Sequence, residues 1–173
     1  MKNKKGLFLP IVCVMLVIAL GLILLYSHFP RPYLDEVHSV SERFGVDEAL
    51  IYAVIKAESG FDPAAVSHAG AKGLAQLTDG TAQYVAEMIG MEYDSGDSFD
   101  AEKNIILSAA YIRYLMQKYD GDLRLTVAAY NAGEGNVDKW LANDSGLKDI
   151  PFGETKKYVR KVRLYRRIYS VLY

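Results

Sequence analysis

Residues 47–59 read Asp-Glu-Ala-Leu-Ile-Tyr-Ala-Val-Ile-Lys-Ala-Glu-Ser and carry the clearest structural pattern in the chain. Ile51, Val54 and Ile55 are three and four positions apart, which is the spacing of one buried face of an amphipathic helix. Glu58 continues that face, at a position where another hydrophobic residue would be expected. The segment therefore predicts a helix that holds a carboxyl group against an apolar surface.

This position is expected to raise the pKa of Glu58. A carboxyl group beside apolar side chains loses hydration of its charged form, so its pKa rises and it can donate a proton near neutral pH. Such a group suits general acid catalysis. The register alone leaves an alternative open, in which Glu58 turns toward solvent from the last turn of the helix or pairs with Lys56 or Lys72.

The chain from residue 31 onward shows further helix-period patterns, separated by Gly-rich turns, and no alternating strand pattern of useful length. The fold class is therefore predicted to be mostly α, with N-caps at Asp47, Thr78, Asp100 and Asp122. The connection 60–77 is long for a helical domain, which is typical of a functional loop. The predicted helices cover 33–44, 47–59, 78–89, 100–119, 122–131, 135–142 and 154–171.

The N-terminal segment predicts a membrane anchor. The run 7–26 contains no charged residue, and its helical length matches the roughly 30 Å hydrocarbon core of a bilayer. Lys2, Lys4 and Lys5 precede the run, so the positive-inside rule predicts a cytoplasmic N-terminus and an extracytoplasmic remainder. The predicted organisation is a cytoplasmic end and transmembrane anchor over 1–30 and one exported domain over 31–173. A cleaved signal peptide is the alternative, but residues 26–30 contain no small-x-small cleavage site.

Composition argues against several classes of function. Residues 31–173 contain 17 Lys and Arg against 21 Asp and Glu, a formal charge of −4 that disfavours a nucleic-acid partner. The single cysteine, Cys13, lies in the apolar run and provides neither a disulfide nor an exported nucleophile. His28, His38 and His68 are scattered and form no His-Glu-x-x-His motif, so we predict no metal site and no cofactor.

Five short blocks follow one another along residues 34–170. The blocks are Glu58-Ser59, Gly70-Ala71-Lys72-Gly73-Leu74-Ala75-Gln76-Leu77, Asn104-Ile105 with Tyr111, Ala129-Tyr130-Asn131-Ala132-Gly133, and Ile150-Pro151-Phe152 with Glu154-Thr155 and Tyr158. In this order they closely resemble the SLT-type lytic transglycosylases. This family has a lysozyme-like fold, related to goose-type lysozyme, and acts on peptidoglycan. The resemblance implies a lysozyme-like helical domain after the single transmembrane helix.

The resemblance also implies roles for individual residues. Glu58 would be the catalytic acid and base, and Ser59 would orient the substrate or the carboxylate. Uncharged polar groups would bind sugar without placing a second charge beside an acid that must stay protonated. On this basis Gln76 and Asn131 would contact the sugar or its N-acetyl group, while Tyr130 and Tyr158 would shape the cleft.

The resemblance also bears on other residues of the loop 60–77 and on one residue of the predicted helix 100–119. Gly70 and Gly73 would let the backbone approach the glycan, and His68 is a further candidate for substrate contact. Two positions depart from the family's usual pattern. Ala75 stands where methionine is usual, which would widen a subsite, and Ser108 stands where glycine is usual, which is expected to affect only helix packing.

The implied reaction uses one carboxyl group where most glycosidases use two. Glu58 would protonate the oxygen between N-acetylmuramic acid and N-acetylglucosamine, then accept a proton from the muramoyl C6 hydroxyl, which closes onto C1. One rival is a goose-type hydrolase, in which a second acid such as Asp62 or Asp79 would position water. Another is a non-catalytic module that binds the cell wall.

The last predicted helix is strongly basic. Its cations are consistent with a surface for acidic lipid or an anionic wall polymer. A final amphipathic helix with cations toward its C-terminal end is the simpler interpretation, and we favour it. The cations are Lys156, Lys157, Arg160, Lys161, Arg163, Arg166 and Arg167.

Overall fold

The computed structural model describes residues 5–143 and 150–173. The chain divides into two compact units, one that ends at Pro32 and one that runs from Tyr33 to Val171.

The first unit is the helix α1, Lys5–His28. Its segment Pro10–His28 has a mean hydropathy of 2.6 and is long and apolar enough to cross a membrane, judged by length and composition. The predicted N-terminal apolar helix is therefore present, and it fits a membrane anchor. Lys2 and Lys4, on which the predicted orientation depends, lie outside the described residues.

The second unit is helical, as the sequence predicts, and the residues described in it form no strand longer than an isolated β-bridge. A helix lies at each of the seven predicted positions. The structure adds one short 3-10 helix, Ser95–Phe99, which no periodic pattern in the sequence predicts. The α-helices are α2 (Leu34–Phe44), α3 (Glu48–Glu58), α4 (Asp79–Ile89), α5 (Ala101–Lys118), α6 (Leu123–Ala132), α7 (Glu134–Asn143) and α8 (Gly153–Leu172).

All four predicted N-caps are confirmed. Each side-chain oxygen accepts a hydrogen bond from a backbone N–H of the first helical turn, where no partner within the helix is available. These bonds fix where α3, α4, α5 and α6 begin. They run to Asp47 from Ala49 (2.9 Å), to Thr78 from Thr81 (3.3 Å), to Asp100 from Lys103 (2.9 Å), and to Asp122 from Arg124 (2.7 Å) and Leu125 (3.1 Å).

Helix α3 lies in the core of the domain. Every residue from Ala49 to Ile55 is buried, so the helix is covered on all sides and not only along the predicted apolar stripe. It packs against α2, while α5 packs against α2, α4 and α6. This burial anchors α3 rigidly and fixes the position of Glu58 at its C-terminal end.

The loop 60–77 is held to helix α5 by one buried amide. Asn104, only 1% exposed, accepts a hydrogen bond from the Ala75 N–H (2.8 Å) and donates to the Ser98 carbonyl (2.9 Å). Gly73 passes so close that a Cβ atom there would lie 2.0 Å from the Ser98 carbonyl oxygen. Gly73 therefore allows the loop to approach the protein's own backbone, whereas the sequence analysis expected an approach to glycan.

This close approach predicts a large loss of stability for Gly73→Ala, above about 3 kcal/mol, because backbone must move to admit the methyl group. Gly70→Ala is the matched control. Its φ of +78° is as unfavourable as the +73° of Gly73, but its Cβ would meet nothing within 4 Å. The control should lose only about 1–2 kcal/mol from the left-handed backbone. Thermal unfolding of the detergent-solubilised protein measures both, and equal losses would contradict the packing argument.

Candidate active site

Glu58 ends helix α3, half-buried, with its carboxyl group in contact with α8. The hydroxyl of Tyr158 donates a hydrogen bond to Glu58 Oε1 at 2.5 Å. Burial raises the pKa of Glu58 to about 7, although the hydrogen bond from Tyr158 and the charge of Lys161 act in the opposite direction. Desolvation therefore outweighs both, and the carboxyl group carries a proton on a large fraction of molecules at neutral pH.

The alternative in which Glu58 pairs with a lysine does not match the geometry. Lys72 Nζ lies 2.7 Å from an Asp79 carboxylate oxygen, and Lys56 Nζ lies over the rings of Phe61 and Tyr165. The raised pKa of Glu58 is thus the one expected from its position on the apolar face.

Glu58 opens into a cleft of about 570 Å³. Four of the six predicted site residues line it: Glu58, Gln76, Tyr130 and Asn131. His68 and Tyr111 line it as well. Tyr158 reaches Glu58 through its hydrogen bond, whereas Ser59 is not among the lining residues.

Ser59 instead fixes the turn that follows α3. Its hydroxyl donates to the Leu74 carbonyl (2.7 Å) and accepts from the Phe61 N–H (3.1 Å), which joins the end of the helix to the far part of the loop. The structure places this serine where it supports the backbone next to Glu58.

Gln76 is held in the loop in an uncommon conformation. Its φ of +52° lies in the left-handed region, and its Nε2 donates to the carbonyls of Ala65 (3.0 Å) and Gly73 (2.9 Å). Both amide protons are thus used to hold the loop. The remaining Oε1 can only accept, so Gln76 is suited to a hydroxyl or N–H donor of a ligand.

Tyr130 has its only hydroxyl proton committed to the loop. The hydroxyl donates to the Ala75 carbonyl (2.9 Å), and the Ser108 hydroxyl lies 3.2 Å from it. Because the phenol has one proton, Ser108 must be the donor in the second bond. Burial raises the pKa of Tyr130 well above its usual value, so the ring stays neutral beside Glu58.

The structure places both departures from the family pattern in buried surroundings. Ser108 is fully buried and hydrogen-bonded to Tyr130, so its role is not restricted to helix packing. The Ala75 side chain is fully buried and does not line the cleft. Its N–H and carbonyl are bound by Asn104 and Tyr130, respectively.

Asn131 differs from Gln76, the other amide side chain that lines the cleft, in having no hydrogen bond within the described residues. It is exposed at the end of α6, and its side chain hydrogen-bonds to none of the described residues. Both its donor and its acceptor groups are therefore available to a ligand.

The acids proposed for a hydrolase are engaged elsewhere. The Asp62 carboxylate accepts from the Ala64 N–H (2.9 Å), and Asp79 binds Lys72 and the Tyr93 hydroxyl, with a pKa lowered mainly by the hydrogen bond from Lys72. Neither lines the cleft. Glu154, at the start of α8, does line it and borders a neighbouring cavity of about 510 Å³. Glu154 belongs to the last of the five sequence blocks, and the sequence predicts no role for it.

Metal ligands are not clustered in the described part of the chain, where no group of three or more His, Cys, Asp or Glu side chains is arranged to hold an ion.

The family described as "Transglycosylase SLT domain" matches residues 36–152. The chain belongs to this family. The matched range of the SLT domain contains Glu58, Gln76, Tyr130 and Asn131 and ends before Tyr158.

Similar proteins agree with this membership. The soluble lytic murein transglycosylase of Escherichia coli K12 is 33% identical over 154 residues, which covers 84% of this chain and 24% of that protein. Membrane-bound lytic murein transglycosylase C of Edwardsiella ictaluri is 34% identical over 168 residues, covering 79% and 47%. The chain thus spans about a quarter of the first relative and about half of the second.

A solved structure shows the same fold. An inactive glutamate-to-glutamine mutant of the lytic transglycosylase Slt from Pseudomonas aeruginosa matches with a TM-score of 0.79 at 32% identity, over 85% of this chain and 25% of that one. The lysozyme-like SLT fold predicted from the sequence is confirmed.

The hydrogen bond from Tyr158 stabilises the charged form of Glu58, so Tyr158→Phe should raise the pKa of Glu58 further above 7. Carbon-13 NMR of labelled glutamate carboxyl groups follows this titration directly. Tyr84→Phe, an exposed tyrosine on α4 that does not line the cleft, is the control and should leave the titration unchanged. A lower pKa in Tyr158→Phe would contradict the assigned role of the hydroxyl.

The bond between Ser108 and Tyr130 should appear as an energetic coupling. In a double-mutant cycle of Ser108→Ala and Tyr130→Phe, thermal unfolding should give a coupling of about 1 kcal/mol, the usual net contribution of a hydrogen bond. Ser170→Ala, on the exposed side of α8, should show no coupling with Tyr130→Phe. Zero coupling for Ser108 would mean that the 3.2 Å contact contributes nothing.

Proposed function

We propose that this protein is a peptidoglycan lytic transglycosylase with Glu58 as its single general acid and base. The observation that carries the proposal is a half-buried carboxyl group at the edge of a cleft, with a pKa of about 7 and a hydrogen bond from Tyr158. A group that donates and later accepts a proton works best when its pKa lies near the working pH.

In the proposed reaction, protonated Glu58 donates its proton to the oxygen that joins N-acetylmuramic acid to N-acetylglucosamine. The bond from that oxygen to muramoyl C1 breaks, and the N-acetyl group assists its departure. Glu58, now a carboxylate, accepts the proton of the muramoyl C6 hydroxyl as the C6 oxygen bonds to C1. The products are an N-acetylglucosamine end and a 1,6-anhydro-N-acetylmuramic acid end, and no water is consumed.

The surroundings of Glu58 suit both halves of this cycle. Burial favours the neutral acid that starts the reaction, while the Tyr158 hydroxyl stabilises the carboxylate that forms after the first proton transfer. The two effects oppose each other, and neither form of the carboxyl group is strongly disfavoured.

Substrate binding is assigned to the two amides of the cleft. Gln76 Oε1 would accept from a sugar hydroxyl or an N-acetyl N–H, because both of its own protons are used within the loop. Asn131 would donate and accept, since its exposed amide has no partner among the described residues. Tyr130 would form a neutral wall of the cleft, with its hydroxyl fixed by Ala75 and Ser108.

The comparisons support the proposed activity. The relatives are named as lytic murein transglycosylases, and the Pseudomonas aeruginosa structure is of a variant in which the change of a glutamate to glutamine accompanies inactivity. Since this chain spans only part of each relative, its substrate and reaction remain proposals.

We further propose that residues 1–30 anchor the protein with a cytoplasmic N-terminus, and that residues 31–173 form the catalytic domain on the extracytoplasmic side. The apolar helix α1, the preceding lysines and the membrane-bound relative support this arrangement. Peptidoglycan strands would be the partner of the cleft. No cofactor is needed for the proton transfers.

Product analysis tests the reaction. Wild-type protein should release muropeptides with 1,6-anhydro ends, identified by mass spectrometry, and Glu58→Gln should release them about 10²–10⁴-fold more slowly. Glu154→Gln is the control that removes the other acid of the cleft, and it should keep the anhydro products. Reducing ends in the wild-type products would favour the hydrolase, whereas undiminished release by Glu58→Gln would exclude Glu58 as the catalyst.

The Glu58→Gln variant should be folded. Its loss of activity would then reflect the missing proton transfer and not a loss of structure. The pKa of Glu58 is about 7 in the folded protein against an ordinary 4.5, so the folded state binds more protons, and wild-type stability falls as pH rises from about 4.5 to 7. Above pH 7 this penalty amounts to about 3 kcal/mol. Glu58→Gln should lack that pH dependence in thermal unfolding, and an equally steep decline in the variant would contradict the assigned pKa.

A further inference from the structure

The basic helix α8 has two faces of different character. Its inner face holds Tyr158, Val162 and Tyr169, which are buried in the domain. The opposite face is a stripe with alternating spacings of three and four residues, all of them exposed, which we call the outer stripe. The outer stripe consists of Lys157, Arg160, Leu164, Arg167 and Val171.

The three cations of the outer stripe have no partner among the described residues. By contrast, two other cations of the helix are engaged, since Arg166 binds Asp47 at 2.7 Å and Lys161 donates to the Ala57 carbonyl at 2.8 Å. The domain does not lack acids, because residues 31–152 contain 20 Asp and Glu against 10 Lys and Arg. The outer stripe is thus a positive surface on an otherwise acidic domain.

Helix-end electrostatics does not account for this pattern. Cations are favoured in the last turn of a helix, where the carbonyl ends carry partial negative charge. Lys157 and Arg160 lie in the first half of α8, which begins at Gly153. Solubility does not account for it either, since Leu164 is 56% exposed and Val171 is 78% exposed within the same stripe.

Cations interleaved with exposed aliphatic side chains match the chemistry of a membrane interface. Anionic headgroups attract the cations, while Leu164 and Val171 enter the boundary with the acyl chains. A soluble anionic polymer would attract the same cations but would give the two aliphatic side chains no apolar environment. The chain also keeps a bilayer close, because only residues 29–32 separate α1 from the second unit and five residue steps span at most about 18 Å.

We propose that the outer stripe of α8 docks the domain onto the surface of a bilayer containing anionic lipid. The inner face of the same helix carries Tyr158 toward Glu58, so docking through the opposite face leaves the cleft uncovered. The domain would then be held with its cleft away from the lipid surface. This inference needs the anchor but not the reaction, so it stands or fails independently of the proposed activity.

Fluorescence of the full-length chain in vesicles tests the proposal. The variant Cys13→Ser with Leu164→Cys carries an environment-sensitive apolar dye at the centre of the outer stripe. In vesicles of phosphatidylcholine containing phosphatidylglycerol, the emission should shift to the blue and gain intensity relative to phosphatidylcholine alone. High salt should reverse the change, because it screens exposed charges. The same dye at Met88→Cys, on α4, should not respond.

Charge variants identify the groups responsible. Each cation near an anionic surface changes a binding equilibrium about fivefold, so Arg160→Gln with Arg167→Gln should weaken docking about thirtyfold. Arg113→Gln with Lys139→Gln removes the same charge from exposed positions on α5 and α7 and should have little effect. Equal weakening by both pairs would mean that only net charge matters, and it would overturn the assignment to α8.

Two other outcomes would also overturn the proposal. One is a dye response that does not depend on the anionic lipid. The other is a response of the detergent-solubilised protein to soluble poly(glycerol phosphate) without any response to anionic vesicles, which would assign the outer stripe to an anionic wall polymer.

Discussion

The hydrogen bond between Tyr158 and Glu58 is the contact on which the site depends. It joins residues 100 positions apart and sets the end of α3 against α8. Glu58 can occupy this position because residues Ala49 to Ile55 of α3 are all buried, which holds the helix that carries it in place. The same burial that stabilises the domain therefore supplies the desolvation that raises the pKa of Glu58.

A second set of contacts holds the loop at Gln76, which lines the cleft. Asn104 on α5 binds the Ala75 N–H and Tyr130 on α6 binds the Ala75 carbonyl, so the two helices hold the peptide groups on both sides of Ala75. Gln76 follows immediately and is kept in a left-handed conformation by its own bonds to Ala65 and Gly73. Because these polar groups are bound within the loop, their positions are set before a ligand arrives, and Gln76 Oε1 and Asn131 keep hydrogen-bonding capacity for it.

Local patterns predicted the parts of this structure that depend on neighbouring residues. The helix register placed Glu58 on an apolar face, and four N-caps were assigned from single side chains next to periodic segments. The 3-10 helix Ser95–Phe99 could not be predicted, because five residues of mostly polar sequence show no periodicity. Complete burial of α3 was also not predictable, since it depends on the elements that cover the helix.

Local sequence patterns do not predict the roles of residues that depend on contacts between distant parts of the chain. Tyr158 was assigned through family resemblance alone, because nothing in the spacing of two residues 100 positions apart indicates a hydrogen bond. The sequence predicts only a packing role for Ser108, since its hydroxyl finds a hydrogen-bond partner only when the fold brings Tyr130 of α6 beside α5. Gly73 is required by the Ser98 carbonyl, an approach that the sequence does not reveal.

The charge distribution of α8 is compatible with a Glu58 that keeps its proton. A cation in contact with the carboxyl group would stabilise its charged form and remove the proton that a general acid must donate. Lys161 lies near enough to lower the pKa of Glu58, but its ammonium group donates to the Ala57 carbonyl, and burial remains the larger effect. The outer stripe keeps its cations on the opposite side of the helix. One helix can therefore present a neutral tyrosine to the acid and a basic surface on its opposite face, because helical periodicity keeps the two sets of side chains apart.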